Sequence, residues 1–95
     1  MNNESNARDV YADIRAERER QDEQWGGPEH DDEHGPADWL HFIDKQIIAG
    51  VFDVELGEQN PGSYRARLVK TAALAVAAIE SHDRKSALNP EAGNG

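Results

Sequence analysis

Apolar residues recur at intervals of three and four through most of this chain, and glycine or proline stands where the recurrence stops. Ala7, Val10, Tyr11 and Ile14 fall on one face, and the same stripe runs through Arg18 and Gln21 to Trp25, so it begins apolar and ends polar. The pattern predicts a half-buried helix over about 6–23, with Arg15, Glu19, Asp22 and Glu23 on its wet side and Gly26-Gly27-Pro28 as its stop. A second helix, over about 37–50, follows Gly35-Pro36, because proline suits a first turn and Asp38 suits the positive end of the helix dipole. Its expected core face is Trp39, Phe42, Ile43, Ile47 and Val51, with Gly50 either ending the helix or carried within it. Beyond a polar loop, Asp53 to Asn60, the pair Asn60-Pro61 caps a third helix over about 61–83. Tyr64, Leu68, Ala72, Ala75, Val76 and Ile79 form its stripe, and Ala66, Ala73, Ala77 and Ala78 widen it with side chains small enough for close approach.

These elements predict an all-α fold, a small three-helix domain over residues 7–84. It is built on a packed hairpin of the second and third helices, with the first laid across it. Residues 24–36 form the loop between the first two helices, and residues 1–6 and 85–95 have so little to bury that they are expected to be disordered.

Composition narrows the function classes. With no cysteine in 95 residues, disulfide scaffolds and cysteine-ligated zinc modules are excluded, and a reducing cytoplasm is the expected setting. The longest apolar stretch, Leu68 to Ile79, is interrupted by Lys70 and Thr71 and falls short of a bilayer span, so no membrane or secretory role is expected. The domain left after trimming the ends is of a size at which one core rarely supplies more than roughly 3–5 kcal/mol, so a homodimer or higher homo-oligomer is expected.

The net charge is -9, and its distribution matters more than its size. Residues 1–35 carry eleven Asp and Glu against four Arg, residues 36–60 five acids against one Lys, and residues 61–95 three acids against five bases. An acidic front half precedes a mildly basic last helix. Direct nucleic-acid binding is not expected, because affinity for the phosphate backbone comes mostly from Lys and Arg.

The densest candidate chemistry lies between the first two helices, in Gln24-Trp25-Gly26-Gly27-Pro28-Glu29-His30-Asp31-Asp32-Glu33-His34. His30 and His34 with Asp31 and Asp32 are ligand types that zinc, manganese or iron accept, and histidine beside aspartate also suits acid–base work. The plainer alternative is that they cap the next helix, fix the loop through backbone hydrogen bonds and pair with Arg18 or Arg20. Arg18, Gln21 and Trp25 could form a recognition surface, with arginine forks for phosphate or carboxylate and an indole for stacking. Equally, Glu17 with Arg20 and Arg15 with Glu19 are ordinary neighbours on an exposed helix face. Trp25 and Trp39 are both expected in the core.

The run Ala16-Glu17-Arg18-Glu19-Arg20-Gln21-Asp22-Glu23-Gln24-Trp25-Gly26, the His30-Asp31 after it, and the alanine-rich Leu68 to Glu80 resemble small proteins of phages and bacteria related to the MazG-like, all-α nucleotide pyrophosphohydrolases. The resemblance covers about residues 10–84. It implies paired helices in a dimeric bundle and a magnesium site that cleaves nucleoside triphosphates to monophosphates and pyrophosphate.

At that site the chain departs from the family. The family's E-E-x-x-E cluster falls on Lys45, Gln46 and Ala49, and its E-x-x-D motif falls on Arg67 and Lys70. Magnesium needs oxygen ligands, so these substitutions abolish such a site rather than weaken it. The leading expectation is therefore a non-catalytic phage or prophage accessory protein that binds a host protein through its acidic surface, as an inhibitor or a nucleic-acid decoy. Such a protein needs no cofactor. One alternative is a nucleotide or phosphate ligand held by Lys45, Arg67 and Lys70; another is a hydrolase using a divalent metal at His30, Asp31, Asp32 and His34. Lys45, Arg67 and Lys70 can instead pair with acids of the first helix, Asp13 and Glu17, and hold the bundle together.

Overall fold

A computed structural model describes residues 3–55 and 61–88, and the side chains of 9–55 and 64–87. The described residues form four helices and no strand: α1 (Asn3–Trp25), α2 (Gly27–Asp31), α3 (Pro36–Glu55) and α4 (Pro61–Leu88). The all-α class predicted from the periodicity holds. None of these helices is long and apolar enough to cross a membrane.

The breaks fall where glycine and proline demand them. Gly26 and Gly27 have φ of 111° and 73°, left-handed values that suit glycine, and Gly26 N–H closes the end of α1 on the Asp22 carbonyl at 2.9 Å. Gly27 then opens α2, with Pro28 in its first turn, a single short helix inside what the pattern predicts as a loop. The Gly35 N–H donates to Asp38 Oδ2 at 3.3 Å, which fastens the start of α3. Gly50 is carried within α3, which runs on to Glu55.

The helices also run further than predicted. Residues 3–6 belong to α1 and 85–88 to α4, while 1–2 and 89–95 lie outside the described residues, as do Leu56 to Asn60 of the polar loop. α4, whose 28 residues at about 1.5 Å each make it the longest element, contacts α1, α2 and α3, whereas α1 does not contact α3. The hairpin of α3 and α4 is as expected, but the first helix lies against α4 and the short α2 and does not cross α3.

This central position explains the small side chains of α4. Ala73, Ala77 and Ser81, one turn apart, are 0%, 2% and 1% exposed, because neighbours close on α4 from more than one side. Trp39 is the large apolar side chain that is buried, at 7% exposed; its ring meets Phe42 edge to face with centroids 5.9 Å apart.

The predicted core stripes are otherwise turned outward. On α3, Trp39, Phe42 and Ile43 face inward, yet Ile47 and Val51 are about half exposed, with Leu40, Ile48, Phe52 and Val54 beside them. The inward positions of the second half of α3 belong to Gln46, Gly50 and Asp53, where Arg67 lies across the helix. On α4, Tyr64, Leu68 and Ile79 are each more than half exposed. α1 adds Val10 and Tyr11, also exposed.

Candidate functional site

Two groups of candidate residues have distinct positions. Lys45, Arg67 and Lys70, the basic positions, take separate places among the described residues. Arg67 Nη1 donates to Gln46 Oε1 at 2.8 Å and Nη2 to Asp53 Oδ2 at 3.1 Å, so its guanidinium bonds α4 to α3. Its stem passes over Gly50, where a Cβ would sit 3.0 Å from Arg67 Cγ, so glycine leaves room for the arginine stem. Lys70 instead lines a shallow groove between α1 and α4 with Asp13, Glu17, Arg20 and Arg65, a groove that includes neither Lys45 nor Arg67.

The charges in that groove answer one another. Arg65 pairs with Asp13 at 2.7 Å, and Arg20 pairs with Glu17 at 2.5 Å. Hydrogen bonds from Arg20 hold the Glu17 carboxyl below its usual range against partial burial, and the charge of Lys70 adds to the effect. Lys45 is exposed on α3 and makes no ion pair among the described residues.

Arg18, Gln21 and Trp25 are similarly engaged. Arg18 bonds Asp22 at 3.0 Å and Glu80 at 2.5 Å, stitching α1 to α4, and is no open fork for a ligand. Gln21 donates to Glu17 at 3.2 Å. Trp25 is not in the core: it is 56% exposed, and its ring stacks on the His30 imidazole with centroids 6.2 Å apart.

The histidine segment, α2 and the turn after it, separates its four candidate ligands. Asp32 is taken by α4: Ser81 Oγ donates to its Oδ1 at 2.8 Å, and Arg84 grips it through Nη2 at 2.8 Å and Nε at 3.2 Å. These bonds hold the Asp32 carboxyl below its usual range. Asp31 is buried and its Oδ2 has no hydrogen-bond partner, so burial pushes its carboxyl up; Arg18 opposes the shift and Asp22 reinforces it.

His30 and His34 do come together. Their Nε2 atoms face each other at 3.3 Å, with ring centroids 4.9 Å apart. Each Nδ1 looks toward a carboxylate, His30 to Glu33 at 3.8 Å and His34 to Asp38 at 3.6 Å. His34 also meets Trp39 and Phe42 edge to face at 5.8 and 5.0 Å, and Lys85 Nζ donates to its backbone carbonyl at 2.6 Å. Among the described residues no three or more His, Asp or Glu side chains gather into one metal-holding group.

Neither a protein-family model, nor a curated protein, nor a solved structure matches this chain. The likeness to MazG-like hydrolases thus rests on the residues quoted for it.

Ser81, Arg84, Gly50 and Asp53 are the positions that sequence reasoning passed over. Only the one-turn spacing of Ser81 and Arg84 at the end of the predicted third helix was there to find, and it does not point to Asp32 some fifty residues earlier.

Proposed function

We propose that this protein acts by binding rather than by catalysis. Two or more copies associate through the outward apolar stripes of α3 and α4, and the acidic face of α1 and α2 engages a partner with a basic surface. The inverted second half of α3 carries this reading: Gln46, Gly50 and Asp53 face inward around Arg67, while Leu40, Ile47, Val51 and Val54 make a stripe on the outside. Exposed apolar surface of this extent marks an interaction site on a small domain, and a second copy would turn the stripe into core.

The charges support the rest. Arg18, Arg20, Arg65, Arg67 and Arg84 are each tied to a carboxylate of the same chain. Glu19, Glu23 and Glu29 stay exposed on α1 and α2 with no ion pair among the described residues. Internal pairing therefore occupies five arginines, with Arg15 left exposed on α1, and leaves a negative outer field suited to steering a basic partner. The residue standing where the resembled hydrolases hold a metal carboxylate, Arg67, is already bonded to Gln46 and Asp53, which speaks for binding over hydrolysis and leaves a phosphate ligand less support. Such a protein fits the part of a phage or prophage accessory factor that occupies a basic host protein.

Charge reversal tests the partner half of this reading. Captured from host lysate at moderate salt, the partner should be lost when Glu19, Glu23 and Glu29 are replaced by Lys together. An unchanged set of captured proteins, or pyrophosphate release from nucleoside triphosphates with magnesium, would overturn it.

A further inference from the structure

We infer that His30 and His34 form a two-imidazole site for a borderline transition-metal ion such as Zn²⁺, Ni²⁺ or Cu²⁺, independent of the surfaces proposed above. Two imidazole nitrogens each about 2.0–2.1 Å from a tetrahedral zinc stand about 3.3–3.4 Å apart. The two Nε2 atoms are 3.3 Å apart, with the rings nearly perpendicular. The remaining coordination positions fall to water or to a donor brought by a partner.

Three further observations agree with a cation between the rings. Glu33 and Asp38 lie 3.8 and 3.6 Å from the outer nitrogens, His30 Nδ1 and His34 Nδ1, on the side where carboxylates stand behind metal-bound histidines. Trp39 and Phe42 brace the His34 ring edge to face, so its direction is set by packing. The His30 and His34 side chains are 35% and 24% exposed, open enough for an ion to enter and shed its water. Imidazole donors select zinc, nickel and copper over magnesium, so the site differs in kind from the carboxylate site of the resembled hydrolases.

The tryptophans report on the site, since Trp25 stacks on His30 and Trp39 abuts His34. In the full-length chain, Ni²⁺ or Cu²⁺ should quench tryptophan emission, saturating at one ion per chain and reversing with a chelator, while Mg²⁺ has no effect. His30→Gln and His34→Gln should each weaken binding by about tenfold or more, and Glu33→Gln and Asp38→Asn less. His41→Gln and His82→Gln should change nothing. Far-UV circular dichroism shows that each variant is folded, and His30→Gln, at the more exposed ring, serves if His34→Gln is not. Absence of saturable quenching, or quenching indifferent to His30 and His34, would overturn the proposal.

Discussion

Arg84, near the end of α4, holds Asp32, in the turn after α2, through Nη2 at 2.8 Å and Nε at 3.2 Å from the same Oδ1. With Ser81 on that oxygen as well, the contact fixes the histidine segment to the central helix. Arg84→Met and Asp32→Asn should each lower the melting temperature by a few degrees, and the double variant should be no worse than the more damaging single one. Additive losses in the thermal melts would mean that the two residues act separately.

Asp31 and Asp32, adjacent in sequence, should respond oppositely to pH. Burial raises the Asp31 carboxyl, so the folded state holds that proton more tightly than the unfolded chain does. Its ionised form is a cost at neutral pH that is relieved as pH falls toward about 4. Asp31→Asn should therefore melt higher than wild type at pH 7, with the gap closing on acidification. The Asp32 carboxyl, lowered by Arg84 and Ser81, contributes stability that is present above about pH 4 and lost as pH falls through its folded value. Melts between pH 3 and 7 in chelator-containing buffer check both signs; a lower melting temperature for Asp31→Asn at pH 7 would contradict the first.

Gly50 offers a test by sign reversal. Alanine in a helix interior normally gains up to about 1 kcal/mol over glycine. Here the new Cβ meets Arg67 Cγ at 3.0 Å and should displace the guanidinium from Gln46 and Asp53. Gly50→Ala should thus cost about 1 kcal/mol in urea unfolding of wild type, yet stabilise the Arg67→Ala background. Stabilisation in both would show that Arg67 is not held over Gly50.

How much was legible beforehand follows from these positions. Periodicity and the Gly-Pro breaks carry helix identity, because the residues that decide it are neighbours. They do not carry the direction of a face. Ile47, Val51, Leu68 and Ile79 read as core from spacing alone, and spacing is the same whether a stripe packs within one chain or between two. The pairings of Arg84 with Asp32 and of Arg67 with Asp53 join distant parts of the chain, which a single sequence does not encode locally. Of the histidine segment, the ligand types were evident, but the assignment of Asp32 to α4 and of His30 to His34 needed the tertiary fold.

The central place of α4 should show in overpacking. Ala77 is 2% exposed, so Ala77→Leu should lose about 1–3 kcal/mol in urea unfolding. Val76→Leu, at a position on the exposed side, should be close to neutral. Equal effects at both would place the close helix approach elsewhere.

Self-association through α3 and α4 is the central claim, and sedimentation equilibrium of the full chain over micromolar concentrations tests it most directly. The account predicts a mass of twice the 10.5 kDa chain or more. Replacing Ile47 and Val51 together by Glu should return it to a single chain. A mass of 10.5 kDa for the wild-type protein at every concentration would contradict the account.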